Sequence, residues 1–257
     1  MSTEHPTHTV LVTGGTGTLG SLVVARLREA GHEVRALSRR SAQYPVDLRD
    51  GSGLDAAMAG VDVVVHCASN TRRAGRGDEA AARNLAEAAR RAGSVRHFLY
   101  ISIVGVDVVP LAYYRTKLRV ERLLERAAPG LTILRTTQFH GLVAQMTDVA
   151  AKLPVVLLPK GVRIQPIAVE EVADRLVELA VRAPAGRVPD MGGPEALLLT
   201  DLARTYLTAT GRHPRVVPVP LAGTTYAAFL KGGNLTPPGA GSGKTFAEFA
   251  AGRRGRS

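Results

Sequence analysis

The sequence predicts an α/β protein: a doubly wound parallel sheet with helices on both faces, followed by a small, mostly helical C-terminal region. Three observations carry this expectation. Short β-branched runs alternate with helical patterns from residue 9 to residue 135, and such alternation builds a parallel sheet through helical crossovers. A glycine cluster, Gly14-Gly15-Thr16-Gly17-Thr18-Leu19-Gly20, separates the first run from the first helix. The apolar bulk is Ala, Val and Leu, with aromatics at 4% and no Trp, which suits helices packed on a buried sheet.

Thr9 to Thr13 ends at the glycines and reads as a buried strand. From Thr18 to Ala30, apolar residues at 19, 22, 23 and 27 keep helical spacing, and Gly31 is the stop. Glu33 to Leu37 is the next strand. Val46 to Leu48 reads as a short strand, Leu54 to Met58 as a helix ending at Gly60, and Val61 to Cys67 as a fully buried strand. Asp78 to Ala92 is an Ala-rich helix stopped by Gly93, and His97 to Ser102 a strand. Leu111 to Ala127 is a long helix closed by Pro129-Gly130, and Leu131 to Arg135 a further strand. Crossovers in such a sheet are right-handed. Beyond residue 135 prolines become frequent. Val169 to Val181 and Thr200 to Gly211 read as helices, Val216 to Val219 as extended, and the Gly/Pro/Ser-rich Gly232 to Gly243 as mobile. Phe246, Phe249 and Ala250 recur at helical spacing, as a short closing helix would.

A chain of 257 residues buries roughly 70–75% of its unfolded surface and needs no staples. Its single cysteine, Cys67, offers no disulfide framework. The polar N-terminus and the lack of a long apolar run predict a cytoplasmic protein with no membrane partner. The formal charge of +11 comes from arginines scattered beside acids, with local concentrations at Arg39-Arg40, at Arg72-Arg73 with Arg76, and in the tail (Lys231, Lys244, Arg253, Arg254, Arg256 against Glu248). Without a recognition module or exposed aromatics, that charge does not predict a nucleic-acid partner. The expected partner is a small-molecule substrate. Composition leaves room for a homo-oligomer.

The glycine cluster fits Gly-x-Gly-x-x-Gly at Gly15, Gly17 and Gly20, and Gly-x-x-Gly-x-x-Gly at Gly14, Gly17 and Gly20. It follows a strand and opens a helix, the context in which this pattern holds the pyrophosphate of a dinucleotide. The glycines permit the tight turn and let backbone approach the phosphates, while the helix N-terminus offers free N–H groups and its positive dipole. Gly14, Thr16, Gly17, Thr18, Leu19 and Gly20 are therefore cofactor candidates. At the end of the second strand an acid would favour NAD; the chain has Ser38-Arg39-Arg40, whose guanidiniums suit a 2′-phosphate. NADP is expected over NAD. The domain organisation that follows is a dinucleotide-binding core at 1–135, a substrate-side region at 136–231 and a flexible basic tail at 232–257.

Taken together, Thr13 to Gly20, Ser38-Arg39, Asp47-Leu48, His66-Cys67-Ala68-Ser69, Ile101 to Gly105, Tyr113-Tyr114-Arg115-Thr116-Lys117 and Leu134 to Phe139 resemble the short-chain dehydrogenase/reductase superfamily, and more narrowly its atypical, NmrA-like NAD(P)-binding members. The motifs run in that family's order over about residues 9–180. The resemblance implies a Rossmann-type fold, with Asp47 and Leu48 at the adenine, Ala68 and Ser69 beside the ribose and nicotinamide half, and Thr137 to Phe139, with Gln138, near the nicotinamide.

Tyr113 and Lys117 stand four residues apart, on one face of a helix. In the reductases this pair, with a serine, does chemistry: the Tyr, its pKa of about 10 lowered by the ammonium, exchanges a proton with the reacting oxygen. The resemblance makes Ser102, Tyr113 and Lys117 the catalytic candidates, with Lys117 also a ribose ligand. Tyr114 is adjacent, so the residues alone leave open which ring faces the nicotinamide. Two readings follow: an NADP(H)-dependent oxidoreductase acting on a small organic carbonyl or related substrate, or a non-catalytic NADP(H)-binding sensor.

Other residues lead elsewhere or nowhere. Gly241-Ser242-Gly243-Lys244-Thr245 resembles the end of an ATP-binding P-loop, but Pro238 stands where the first glycine belongs and no strand precedes it. His66 and Cys67 are neighbours on a strand, so they point to opposite faces and make no metal pair; no metal is expected. Cys67 reads as a packed thiol. His140 is a candidate substrate contact or auxiliary acid.

Overall fold

The computed structural model describes residues 7–39, 41, 43–237, 241 and 243–253. Along the chain run β1 (Thr9–Thr13), α1 (Thr18–Glu29), β2 (Glu33–Leu37), α2 (Leu54–Met58), β3 (Val63–His66), a short 3-10 turn (Thr71–Arg73), α3 (Asp78–Ala92), β4 (His97–Ile103), α4 (Ala112–Ala127), β5 (Leu131–Thr136), α5 (His140–Ala150), β6 (Val155–Pro159), β7 (Arg163–Ile164), α6 (Val169–Ala180), β8 (Gly186–Arg187), β9 (Leu197–Leu198), α7 (Leu199–Ala209), β10 (Arg215–Val219), α8 (Thr224–Leu230) and α9 (Phe246–Ala251). Six strands form one sheet in the order β2-β1-β3-β4-β5-β8. This is the α/β, Rossmann-like fold that the alternation predicts. Among the described residues no helix is long and apolar enough to cross a membrane.

The chain divides into two compact units. One comprises Met1–Ser102, Arg115–Leu134 and Val172–Pro189; the other comprises Ile103–Tyr114, Arg135–Glu171 and Asp190–Ser257. In the first, the parallel register Thr9↔Glu33 to Thr13↔Leu37, and Val10↔Val63 to Thr13↔His66, brings the carboxyl ends of β1, β2 and β3 level. The segments leaving those strands, at Gly14, Ser38 and Cys67, therefore start from one edge. The inner residues of β1, Val10, Leu11 and Val12, are fully buried, each contributing about 1.5–3 kcal/mol of transfer free energy. Helix α3 packs through Ala81, Ala82, Leu85, Ala86, Ala88 and Ala89, small side chains that permit close approach. Its acids Asp78 and Glu79 lie in the first turn and Arg90 and Arg91 in the last, as the helix dipole favours. Gly93 ends it at φ +67°, a left-handed conformation that glycine adopts without a Cβ penalty.

The strand expected at Val46 to Leu48 is absent. Only an isolated bridge forms, Ser38 to Pro45, because Pro45 has no N–H to donate to a ladder. In the second unit, β6 pairs with β10 in parallel and β7 with β9 antiparallel. Val143, Ala144, Val156, Leu202, Tyr206 and Phe246 are among the buried residues of its core. Helix α9 is the short closing helix expected from Phe246 and Ala250, both buried. Within the Gly/Pro/Ser-rich stretch, Asn234 and Thr236 are buried: Asn234 Nδ2 donates to Arg163 O (3.0 Å), and Thr236 N to Gln165 Oε1 (2.9 Å).

Candidate functional site

The glycine loop gains its shape from close backbone approach. Gly14 lies at φ +67°, where a Cβ would stand 3.0 Å from the Ala68 backbone. A Cβ on Gly20 would overlap Gly14 O, so only glycine lets the first turn of α1 lie against the loop. Gly17 N donates to Gly14 O (2.8 Å) and Gly15 N to Leu37 O (3.2 Å), locking the turn to β2. At the mouth of the turn Thr16, Gly17 and Thr18 are exposed, and Leu19 and Gly20 are buried. No side chain caps α1, and its first turn holds no acid. Orphan N–H groups at an exposed helix start, with no carboxylate in that first turn, are fitted to hold an anion.

Where β2 ends, Ser38 is half-buried and Arg39 exposed; Arg40 lies outside the described residues. Asp47 accepts from the Arg49 backbone N–H (3.1 Å) and from its guanidinium (Nη2 at 2.5 Å). Those bonds hold its carboxyl down at about 2. Asn84 of α3 donates to Leu48 O and Arg49 O, both at 3.0 Å, which fixes the Asp47–Leu48 segment. Asn84 is a positioning residue that no local signal marks, because its partners lie more than thirty residues away.

Behind the loop, Thr13 Oγ1 accepts from Ala68 N (3.2 Å) and shares a hydrogen bond with His66 Nδ1 (2.8 Å). Burial pushes the His66 imidazole down to about 3, so it is neutral, and it stacks on Tyr100 with centroids 5.4 Å apart. Ser69 donates to Asp78, whose other oxygen accepts from Asn70 N (2.9 Å). Asp78, which the sequence marks only as a helix start, thus braces the Ala68–Ser69 segment. Cys67 is pushed up to about 12 by burial, against the opposing Lys117 charge, and stays a protonated thiol.

Lys117 is 3% exposed. Its Nζ donates to Ile101 O (2.7 Å) and lies 4.2 Å from the Tyr100 ring centroid. Burial lowers the ammonium to about 8, while the charges of Asp78 and Glu121 resist that fall. Ser102, at the carboxyl end of β4, is 2% exposed, and its Oγ finds no hydrogen-bond partner. Such an orphan costs free energy unless a ligand or water satisfies it.

In the second unit the two tyrosines separate. Tyr114 is buried, and its hydroxyl accepts from Gln138 Nε2 (2.7 Å). Burial pushes its phenol up to about 12, and its ring meets Phe229 edge-on at 6.4 Å. Tyr113 is half-buried. Gln138 Oε1 is buried without a partner. His140 is not placed for acid catalysis. It is 2% exposed, shares a hydrogen bond with Pro166 O (3.1 Å) and packs on Phe246 and Phe249 at 5.7 and 5.1 Å; burial lowers its pKa. The stretch resembling a P-loop end serves a local purpose: Thr245 and Glu248 form a capping box on α9, and Lys244 N donates to Glu171 Oε1 (2.6 Å).

Residues 14–182 match the NAD(P)H-binding family. The chain belongs to that family. It is similar to the chloroplastic divinyl chlorophyllide a 8-vinyl-reductase of Oryza sativa subsp. indica, at 30% identity over 249 residues, covering 83% of this chain and 61% of that protein. The chain thus spans less than two thirds of the rice relative. The ceramide reductase of Caulobacter vibrioides is 28% identical over 245 residues, covering 86% and 76%. Among solved structures, the NADPH-dependent quinone oxidoreductase of Escherichia coli complexed with NADPH shares the fold at a TM-score of 0.73 and 20% identity, covering 95% of this chain and 99% of that one.

For a member of the NAD(P)H-binding family, the residues of the first unit fit a dinucleotide on two grounds of their own. The loop is a cradle that a Cβ at Gly14 or Gly20 would fill. The helix behind it begins with uncapped N–H groups. Among the described residues no cluster of three His, Cys, Asp or Glu side chains is placed to hold a metal.

Proposed function

We propose that the chain is an NADP(H)-dependent oxidoreductase of the short-chain dehydrogenase/reductase type, acting in the cytoplasm on a small organic carbonyl or related substrate and not on nucleic acid. Residues 1–135 serve the dinucleotide, 136–231 the substrate, and 232–257 form a basic tail. The observation that carries the reading is Lys117. An ammonium 3% exposed is costly unless it is used, and Ile101 O takes only one of its three donors.

In this reading Gly14, Thr16, Gly17, Thr18, Leu19 and Gly20 cradle the pyrophosphate. Ser38, Arg39 and Arg40 take the 2′-phosphate, Asp47 and Leu48 border the adenine, and Ala68 and Ser69 border the ribose. Gln138 serves the nicotinamide end. Bound nicotinamide supplies or takes the hydride. Lys117 holds ribose hydroxyls, Ser102 Oγ donates to the substrate oxygen, and Tyr113 exchanges a proton with that oxygen. Tyr113 is favoured over Tyr114 because the Tyr114 hydroxyl is already committed to Gln138 and buried.

The test is NADPH oxidation against quinones, aldehydes and ketones. Turnover is expected, with Tyr113→Phe lowering kcat roughly hundred-fold or more. Arg39→Asp should weaken NADPH relative to NADH by about ten-fold or more. Silence across the whole panel with tight NADPH binding would overturn the enzyme reading, and equal NADH binding by the unaltered protein the choice of NADP.

A further inference from the structure

Helix α5 departs from the usual rule for a surface helix, which is apolar inward and polar outward. Its inner face, His140, Val143, Ala144 and Thr147, is buried. Its outer face is also apolar: Leu142 is 42% exposed, Met146 50% and Val149 62%, and Leu153 just beyond the helix is 65% exposed. Their spacing of four, three and four residues makes one continuous stripe. The polar Asp148 does not interrupt it, because its carboxylate is held by Tyr206 (3.1 Å) and Arg212 (2.5 Å).

Two facts say what covers the stripe. First, α5 begins four residues after β5 ends, so the stripe starts from a strand's carboxyl end, where open α/β sheets bind their ligands. Second, four side chains form a patch of the few-hundred-Å² class that is often functional on a monomer, and well short of the roughly 800 Å² per partner that a stable dimer buries. From Leu142 to Val149 the stripe runs about 10 Å along the helix at 1.5 Å per residue. That length and lack of charge match an alkyl chain or fused hydrocarbon rings and offer nothing to a sugar or a phosphate. Near its origin, Gln138 Oε1 is buried with no partner, an acceptor suited to one polar group beside an apolar body.

We propose that Leu142, Met146, Val149 and Leu153 form the substrate-binding wall of this protein, and that its substrate is an extended apolar carbonyl compound. The inference rests on the oxidoreductase reading above and names the substrate class for it.

The test uses 2-alkanones from 2-butanone to 2-dodecanone, with NADPH, on the full chain. Both turnover and direct calorimetric binding to the NADPH-loaded protein are followed. Each added methylene should raise kcat/KM or affinity by about three- to four-fold until the stripe is filled. Met146→Glu and Val149→Asp, both at exposed positions and checked for unchanged Tm, should flatten that dependence. If long alkanones bind with this dependence but none is reduced, the substrate class stands and the oxidoreductase reading falls. If carbonyls are reduced with no gain from chain length, or if the charged variants keep the full gain, the wall is overturned while the enzyme reading survives. A variant that changes only the oligomeric mass, leaving the chain-length gain intact, assigns the stripe to a second copy and also overturns the proposal.

Discussion

The two units treat apolar surface in opposite ways. In the first, the β1 and β3 strands are buried on both faces and the helices turn charge outward. In the second, apolar side chains lie on the outside: among the described residues, every large hydrophobic with substantial exposure except Val181 belongs to it. The difference teaches which unit is complete by itself. The first needs only an anion at its uncapped helix start, whereas the second keeps apolar area that a ligand has yet to cover.

The largest effect that tests this contrast is expected at Gly20. Gly20→Ala forces a Cβ into Gly14 O, so α1 must move off the loop. Overpacking of this kind should cost about 3 kcal/mol by chemical denaturation, with a parallel loss of NADPH affinity. Full stability with unchanged affinity would show that the loop has slack and that the first unit is not complete in this sense.

A middle-sized effect belongs to Lys117. Its folded value of about 8 lies below the ordinary 10.5. Between those values the unfolded chain keeps a proton that the folded chain has released, so stability rises with pH across that window. Lys117→Met should remove this rise in urea midpoints measured from pH 7 to pH 10. An identical rise in the variant would mean that the ammonium is solvated and would remove the observation carrying the proposed function.

The smallest effect sharpens the other side. Thr245→Ala removes the cap that accepts from Glu248 N (3.2 Å) and should cost about 1 kcal/mol. Thermal melts should register that loss, while NADPH affinity stays where it was. A fall in affinity as large as the one at Gly20 would show that the two units are not energetically separate.

Much of the first unit was readable along the chain because its cues are local. β1, β2, α2 and α3 lie where β-branched runs, helical spacing and stop glycines put them. The NAD(P)H-binding loop was readable for the same reason, since its glycines are consecutive in sequence. Val46 to Leu48 was misread because its β-branched and apolar residues look strand-like while the deciding residue, Pro45, lies just outside. Helix α5 went unread because it is apolar on both faces, and a helix without a polar side has no period to detect.

By itself, the sequence determined the alternation of strands and helices, the glycine turn, the basic exit from β2 and the Tyr113–Lys117 spacing. All of these depend on neighbours within a few residues. Tertiary structure alone decided which tyrosine is committed, through Gln138 Nε2 twenty-four positions away. It also decided that Lys117 is buried against Ile101 O, that His140 is core and that the outer face of α5 stays uncovered. Burial and hydrogen-bond partners come from residues distant along the chain, so no local pattern encodes them.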